Sequence, residues 1–360
     1  MLRKYMGMAA LISAGLIGGA SRVQAQSAML NLPRASQHAR ITQRIGITDI
    51  TIDYSRPLVR GRKIFGGLQA YGQVWRAGAN ENTILEVSDP VSIEGQTLPK
   101  GAYGLHMIPG ETAWVVILSK NATSWGSFTY DQAEDALRIN VKPQSIENQE
   151  ALSYGIEDPK PDSALITMRW EKVGISLHVQ VNTAQIVAEN LRKQLRGRVQ
   201  FEWQPWMEAA DYLLTNFKND QASAEEAARY AQHSIDNEDR FENEITKSRA
   251  LAALGRQDEA LAARNKAIAM GNQLQVQSFA RTIQGDGRYA EAIELFHINI
   301  QKDPNTWIAH NEKARVAVSE GDFDTAIKEM KLAMDGCPEA LKAPHADLLR
   351  RLENHEDINK

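Results

Sequence analysis

The arginine-rich stretch from Asp53 to Asn82 has residue types that could bind a ligand. It reads DYSRPLVRGRKIFGGLQAYGQVWRAGANEN and contains four arginines and one lysine. Guanidinium groups match carboxylates and phosphates in geometry, and aromatic rings offer flat walls to a ligand. We therefore predict a site for a small anionic or sugar-like ligand. Its candidate ligand-binding residues are Tyr54, Arg56, Arg62, Trp75, Arg76, Asn80 and Trp125.

A structural role is the competing interpretation of the same stretch. Asp53 and Glu81 can pair with the arginines and hold a long loop over the domain, and Trp75 can belong to the core. If the stretch is a binding site, its glycines allow the backbone to fold back on itself. Arg62 and Arg76 are then predicted to face a common space.

Common catalytic signatures are missing from the sequence, which has no G-x-S-x-G, G-x-x-x-x-G-K-[ST], H-E-x-x-H or G-x-G-x-x-G motif. No two of the eight histidines have the i, i+4 spacing of a helical metal pair, so neither a metal nor a cofactor is predicted. The sequence favours a non-enzymatic protein and predicts His106 to be an ordinary surface histidine. In the alternative, an enzyme acts on a small anionic or glycan substrate, with Tyr54 or His106 as acid or base and the arginines as clamps.

The chain up to residue 182 has the sequence pattern of β-strands. Apolar and polar residues alternate over residues 50–55, for example, and with perfect period two over residues 173–181, and residues 165–170 are predicted to form another short strand before the latter. Seven or eight short strands of this kind are separated by turn residues, with no long helical pattern between them. This predicts an antiparallel β-sandwich or jelly-roll-like domain over residues 26–182.

Several short motifs in this half have a specific family resemblance. They are PRAS (33–36), DYSRP (53–57), GRKIFG (61–66), VWRAGANE (74–81), LPKGAY (98–103) and WG (125–126). With these motifs, residues 30–182 resemble a bacterial family of exported proteins known as domain of unknown function 2911. The resemblance implies an exported β-fold and a domain boundary near residue 182. It implies no catalytic activity.

From residue 183 onward the apolar pattern becomes helical and repeats along the chain. Four residue pairs are separated by 34 positions, which is the tetratricopeptide period: Tyr289/Phe323, Ala292/Ala326, Ile293/Ile327 and Pro304/Pro338. We therefore predict a tetratricopeptide-like helical domain over residues 183–360, with seams between repeats filled by Tyr289, Phe296, Phe323 and Met330. Arrays of this class commonly bind proteins or peptides on a concave surface, although a spacer role is the alternative.

The N-terminal residues have the composition of a secretory signal peptide. Arg3 and Lys4 precede an uncharged apolar run, and small residues stand at Val23 and Ala25 before the predicted cleavage point. We predict that residues 1–25 are a signal peptide. The mature protein is then expected to be periplasmic or secreted and to have no stable membrane anchor after cleavage. The formal net charge of −4 becomes more negative without the signal, so nucleic acid is not an expected partner.

The signal-peptide interpretation gives a direct prediction. Because cleavage is expected after Ala25, the protein isolated from its source cell should begin at Gln26. Intact-mass measurement and N-terminal sequencing check this. A chain that retains Met1 would contradict export by this route.

Overall fold

The computed structural model describes residues 32–360, so the predicted signal peptide lies outside the described residues. Within them, ten strands are followed by ten helices. The strands are β1 (Gln37–Ile45), β2 (Thr48–Arg56), β3 (Thr83–Val87), β4 (Val91–Ile93), β5 (Gln96–Leu98), β6 (Gly101–Ile108), β7 (Trp114–Ser119), β8 (Asp135–Val141), β9 (Gln144–Glu157) and β10 (Ser163–Val181). The helices are α1 (Thr183–Gln194), α2 (Trp203–Asn216), α3 (Gln221–Asn237), α4 (Phe241–Ala253), α5 (Gln257–Met270), α6 (Gln273–Gly285), α7 (Tyr289–Ile300), α8 (Trp307–Ser319), α9 (Phe323–Gly336) and α10 (Glu339–Glu353).

The strands form two antiparallel sheets that share one core, which confirms the predicted β-sandwich. One sheet has six strands in the order β1-β2-β3-β6-β7-β8, and the other has four in the order β5-β4-β10-β9. Ile52 of the first sheet and Val179 of the second are both fully buried in the same cluster. The alternation seen in the sequence thus puts one side of each strand into a common apolar layer.

Two strands, β1 and β9, were not predicted from the sequence. Both are at the edge of their sheets. Most of their residues are exposed or half-buried, and only Ile45, Leu152 and Tyr154 are buried. An edge strand with so few buried residues lacks the apolar alternation by which a strand is recognised.

The sequence predicted separate strands at residues 165–170 and 173–181, whereas β10 runs through both as one strand of 19 residues. The register against β9 shifts on either side of Glu171. Glu171 has a φ of 54°, in the left-handed region. A bulge of this kind interrupts the alternation and bends the strand without ending it.

The connection between β2 and β3 spans residues 57–82 and is anchored by aromatic rings. Phe65 and Trp75, both from this connection, pack with Trp114 of β7 and Trp170 of β10. The ring centroids of Phe65 and Trp114 are 4.7 Å apart, and those of Trp75 and Trp170 are 5.6 Å apart. The backbone of Trp75 also exchanges two hydrogen bonds of 2.8 Å with Met107 of β6. These contacts fix an otherwise irregular segment to both sheets.

Helix α1 connects the sandwich to the helical part. Asn182 caps its N-terminus by accepting a hydrogen bond from the Gln185 N–H. Ile186 then packs in the sandwich core, while Ala188 belongs to the first core of the helical part. One helix therefore contributes to both hydrophobic cores.

Helices α2 to α9 form four pairs, and three of the pairs share the same turn. Gly255, Gly287 and Gly321 occupy equivalent places with φ of 75°, 82° and 81°, which favour glycine. In each turn, the N–H of the following residue donates to the carbonyl four residues before the glycine, at 2.9–3.2 Å. Ala292 and Ala326, one of the residue pairs at the 34-residue spacing, are both fully buried. The repeat-like arrangement of the helices is confirmed.

The prediction that Tyr289 fills a seam between repeats was wrong. Phe296 and Met330 are fully buried, but Tyr289 is 41% exposed. Tyr289 is the first residue of α7 and follows the turn at Gly287 by two positions. Its repeat equivalent Phe323 is less exposed because the ring of His355 stacks on it with centroids 5.0 Å apart.

The buried alanine of α7 offers a test of the domain organisation. Ala292→Trp should overpack the seam and cost about 1–3 kcal/mol of unfolding free energy or more, with the sandwich unaffected. Calorimetry should show two transitions, of which one shifts. Ala290→Trp, at an exposed position of the same helix, is the matched control. A single transition that shifts as a whole would mean that both parts unfold as one unit.

Candidate functional site

Two of the seven predicted ligand residues, Tyr54 and Trp75, lie in the sandwich core. Each is 4% exposed. The Tyr54 hydroxyl accepts a hydrogen bond from the Tyr154 N–H at 3.2 Å, and the Trp75 Nε1–H donates to the Gly78 carbonyl at 3.0 Å. Burial raises the pKa of the neighbouring Tyr154 phenol well above its ordinary value. Tyr54 and Trp75 therefore hold the β2–β3 connection against the core.

Arg56 and Arg62 donate to backbone carbonyls of the sandwich. The Arg56 Nε–H donates to the Leu152 carbonyl at 3.0 Å. The Arg62 Nε–H and Nη2–H donate to the carbonyls of Val59 and Leu58 at 2.9 and 2.5 Å. These bonds stabilise the start of the β2–β3 connection and occupy donors that an anion would need.

Arg76 and Asn80 lie at the other end of the connection. The Arg76 guanidinium is half-buried, its Nε has no hydrogen-bond partner within residues 32–360, and burial lowers its pKa against the opposing charge of Glu81. Asn80, with a φ of 61°, donates through its amide to the Ser36 carbonyl at 3.2 Å and the Ser55 Oγ at 3.1 Å. Asn80 thus ties the connection to the chain before β1.

Trp125 is the most exposed aromatic ring of the predicted set, at 49%. The Arg34 guanidinium carbon lies 5.9 Å from its ring centroid, and the same guanidinium pairs with Glu81 at 2.5 Å. Arg62 is held by the carbonyls of Val59 and Leu58, whereas the charged neighbour of Arg76 is Glu81. The convergence of Arg62 and Arg76 on one space stays a prediction. Arg76 and Trp125 do come near each other, since Arg76 Nη1 is 2.9 Å from the place that a Cβ on Gly126 would take. The seven residues remain a predicted ligand site, of which the core residues Tyr54 and Trp75 and the carbonyl-bound Arg56 and Arg62 lie in other surroundings.

A cleft of about 670 Å³ lies beside β1 and β2, and Tyr54 is the one predicted residue that lines it. Asp53 and Glu81 also line this cleft, with His38 2.6 Å from Asp53. Arg34 lines the same cleft and pairs with Glu81 at 2.5 Å, so the wall of this cleft has charges of both signs. The cluster of positive charge that the arginine-rich sequence predicted does not lie in this cleft.

His106 was predicted to be a surface histidine, and this was wrong. Its side chain on β6 is 2% exposed. The segment of residues 120–134 folds across this side of the six-stranded sheet, where Ser127 Oγ lies 2.8 Å from His106 Nδ1. Gly104 permits the approach, because a Cβ there would be 2.4 Å from the Asn121 carbonyl oxygen. The missing side chain of Gly104 thus admits a backbone segment close to the sheet.

Further polar groups surround His106 and fix the same segment. The Tyr130 hydroxyl lies 3.0 Å from both carboxylate oxygens of Asp135 and 2.8 Å from Arg138 Nη1. Asn82 Nδ2 lies 3.5 Å from His106 Nε2, and Asn82 Oδ1 is buried without a partner within residues 32–360. Burial lowers the pKa of His106, with Asp135 opposing, which favours a neutral imidazole. A neutral imidazole beside a serine hydroxyl can exchange a proton with it.

A second buried polar cluster lies in the helical part around α8. Glu312 is fully buried, and burial raises its pKa to about 8, while the Asn299 amide donates to it at 2.7 Å. Arg315 is 3% exposed, and burial lowers its pKa to about 9. The Arg315 Nε–H donates to Asn311 Oδ1 at 3.1 Å. The sequence pattern did not predict this cluster, because its charged residues lie on a helix that was predicted from apolar spacing alone.

Clefts also open between consecutive helix pairs. One of about 600 Å³ is formed by α3, α4 and α5, and one of about 620 Å³ by α4, α5, α6 and α7. Leu261, which is 48% exposed, lines the second cleft together with the half-buried Phe279. No group of three metal-ligating side chains with a suitable arrangement was found within residues 32–360, and no helix there is long and apolar enough to span a bilayer.

The fold is thus an antiparallel sandwich followed by a tetratricopeptide-like array. Residues 36–179 match the model of a family described as "Protein of unknown function (DUF2911)", which confirms the resemblance carried by the sequence motifs. A search of curated proteins finds no match.

Two solved structures are similar to part of the chain. One is described as "Crystal structure of APC/C hetero-tetramer Cut9-Hcn1", with 18% identity, a TM-score of 0.30 and coverage of 48% of this chain and 34% of that chain. The other is "Crystal structure of YrrB: a TPR protein with an unusual peptide-binding site", with 15% identity, a TM-score of 0.24 and coverage of 45% and 99%. The chain therefore spans about a third of the first of these structures.

The buried histidine predicts a pH dependence of stability. Because its pKa is lowered in the folded state, His106 contributes stability that is present above its unfolded pKa and is lost as the pH falls. Between about pH 7.5 and pH 5 the wild type should therefore lose unfolding free energy that His106→Gln does not lose.

Urea unfolding of both proteins at the two pH values measures this difference. His178→Gln, at a half-exposed position on β10, is the control and should keep the wild-type pH dependence. An equal loss in the wild type and in His106→Gln would show that His106 does not titrate as its burial requires.

Proposed function

We propose that this protein is a protein-interaction scaffold whose helical array binds peptide segments of partner proteins. The observation that carries the proposal is the stacking of four helix pairs, which leaves clefts between consecutive pairs. A stacked array of this kind offers a long surface at which each repeat adds one place of contact. The sandwich serves as the binding or assembly module to which the array is attached through α1.

The cleft between α4 and α7 has the chemistry of a peptide site. Leu261 and Phe279 offer apolar surface, and Arg249 is exposed beside them. Arg264 and Glu291 form an ion pair in the cleft. A partner segment with an apolar side chain and flanking charged residues fits these walls, since apolar anchors supply affinity and charges supply orientation.

A small anionic ligand at the β2–β3 connection is not part of this proposal. Arg56 and Arg62 donate to backbone carbonyls, and neither of them lines the neighbouring cleft, whose two carboxylates lie beside Arg34. Export to the periplasm or beyond is part of it, and the support is the signal-like composition of residues 1–25.

Peptide selection tests the proposed function. A phage-displayed random peptide library is panned on the whole chain, and the enriched peptides are labelled and titrated by fluorescence anisotropy. Leu261→Glu should weaken binding about tenfold or more, because it puts a charge where the apolar anchor packs. Leu274→Glu is the matched control, as Leu274 is 54% exposed on α6 and does not line this cleft.

Two results would contradict the proposal. One is a selection that enriches no peptide with measurable affinity. The other is a set of peptides that bind the wild type, Leu261→Glu and Leu274→Glu equally, since their site would then lie away from the cleft.

A further inference from the structure

The segment that follows α10, residues 354–360, folds back onto the helical array. His355, with a φ of 58°, reverses the chain after α10, and its N–H donates to the Leu352 carbonyl at 2.9 Å. Ile358 and Asn359 then lie against α6 and α8, with exposures of 2% and 8%. Residues 357–359 are not helical, so they lie on the array as a short turn.

The contacts of this segment resemble the way in which a protein binds a peptide. Two arginines of the array donate to its backbone: Arg315 Nη1 to the Ile358 carbonyl at 2.8 Å, and Arg351 Nη2 to the Asp357 carbonyl at 3.0 Å. Recognition of backbone carbonyls tolerates different side chains. These two bonds therefore fix the position of a chain segment without fixing its sequence.

The side chains of the segment supply the specific contacts. Asn359 Nδ2 donates to the Arg315 carbonyl, and Gln284 Nε2 donates to Asn359 Oδ1, both at 2.8 Å. The Ile358 side chain packs beside Ala314 and Leu352 in the hydrophobic core formed by α8, α9 and α10. The surface thus recognises an apolar residue followed by a carboxamide.

The buried guanidinium of Arg315 requires a hydrogen-bond acceptor at this surface. Its side chain is nearly fully buried, and no carboxylate lies within 4.0 Å of it among residues 32–360. Besides Asn311, its hydrogen-bond acceptor is the carbonyl of Ile358. If the segment left, Arg315 and Gln284 would each hold a buried donor without a partner, which is costly unless another chain replaces it.

We propose that the surface formed by α6, α8 and α10 is a peptide-binding site that residues 354–360 occupy in cis. The partner it fits is a peptide segment that presents an apolar residue followed by asparagine, and such a partner binds by displacing residues 354–360. This inference rests on the proposed function of the array and adds a second site with a built-in competitor. The array can bind a partner at this site only in the fraction of molecules from which residues 354–360 have dissociated. The apparent affinity for the partner is therefore reduced.

The test uses a labelled peptide with the sequence of residues 354–360, NHEDINK. Anisotropy titrations compare the wild type with the full-length variant Ile358→Ala/Asn359→Ala, in which the cis contacts are weakened. The peptide should bind this variant about tenfold or more tightly than the wild type. Asn305→Ala, the same change at an exposed asparagine, should bind like the wild type. A peptide with alanine in place of Asn359 should bind the double variant more weakly.

Circular dichroism and thermal melts establish whether each variant keeps its helices. If the double variant loses them, Asn359→Ala alone, which retains Ile358, must show the same gain in peptide affinity. Equal peptide affinity for folded wild type and variant would overturn the proposal. So would the loss of the helical array in both variants, because residues 354–360 would then be a part of the core that nothing replaces.

The two proposals fail in different ways. If library peptides bind at the α4–α7 cleft but NHEDINK gains nothing from the double variant, the cis occupancy is wrong and the scaffold function stands. If no library peptide binds, the scaffold function fails, whatever the behaviour of NHEDINK.

Discussion

A helix pair of this kind cannot bury its apolar faces by itself, and the rest of the helical part depends on that constraint. The apolar face of each helix pair packs against the next pair, so the first and last pairs each need another segment to bury their outer apolar face. At one end this segment is α1, with Ala188 in the first helical core and Ile186 in the sandwich. At the other end, α10 and Ile358 close the core formed by α8 and α9. At the C-terminal end, residues 354–360 are held through backbone carbonyls that accept from Arg315 and Arg351. At the N-terminal end, α1 is continuous with the sandwich.

The sandwich meets a different requirement, which is to hold a long irregular connection without regular pairing. Aromatic packing meets it, since Phe65 and Trp75 join the connection to Trp114 and Trp170 in the core. Arg56 and Arg62 then satisfy backbone carbonyls of β9 and of the connection itself. Residues that suggested a ligand site by their type are therefore used to build the fold. The array is attached to this domain through α1, which contributes Ile186 to the sandwich core.

Much of the fold could be predicted from local sequence signals, and the surfaces proposed to bind partners could not. Alternation over buried strands and the 34-residue spacing of Ala292 and Ala326 come from neighbouring or repeated residues, so one sequence reveals them. Edge strands β1 and β9 lack that alternation because water covers most of their side chains. The burial of His106 depends on a segment that passes over its sheet, and Asn359 meets Gln284 across 75 residues of chain. Such contacts are set by tertiary packing, to which residue type and spacing give no guide.

Amide hydrogen exchange of the whole chain, with and without a saturating selected peptide, tests most directly whether the helical array carries partner binding. We expect slower exchange in α4 to α8 when the peptide is bound and unchanged exchange in β1 to β10. For peptides that present an apolar residue and asparagine, the amides of Ile358 and Asn359 should exchange faster at the same time. Changes confined to the sandwich, with the helices unaffected, would contradict a binding role for the array.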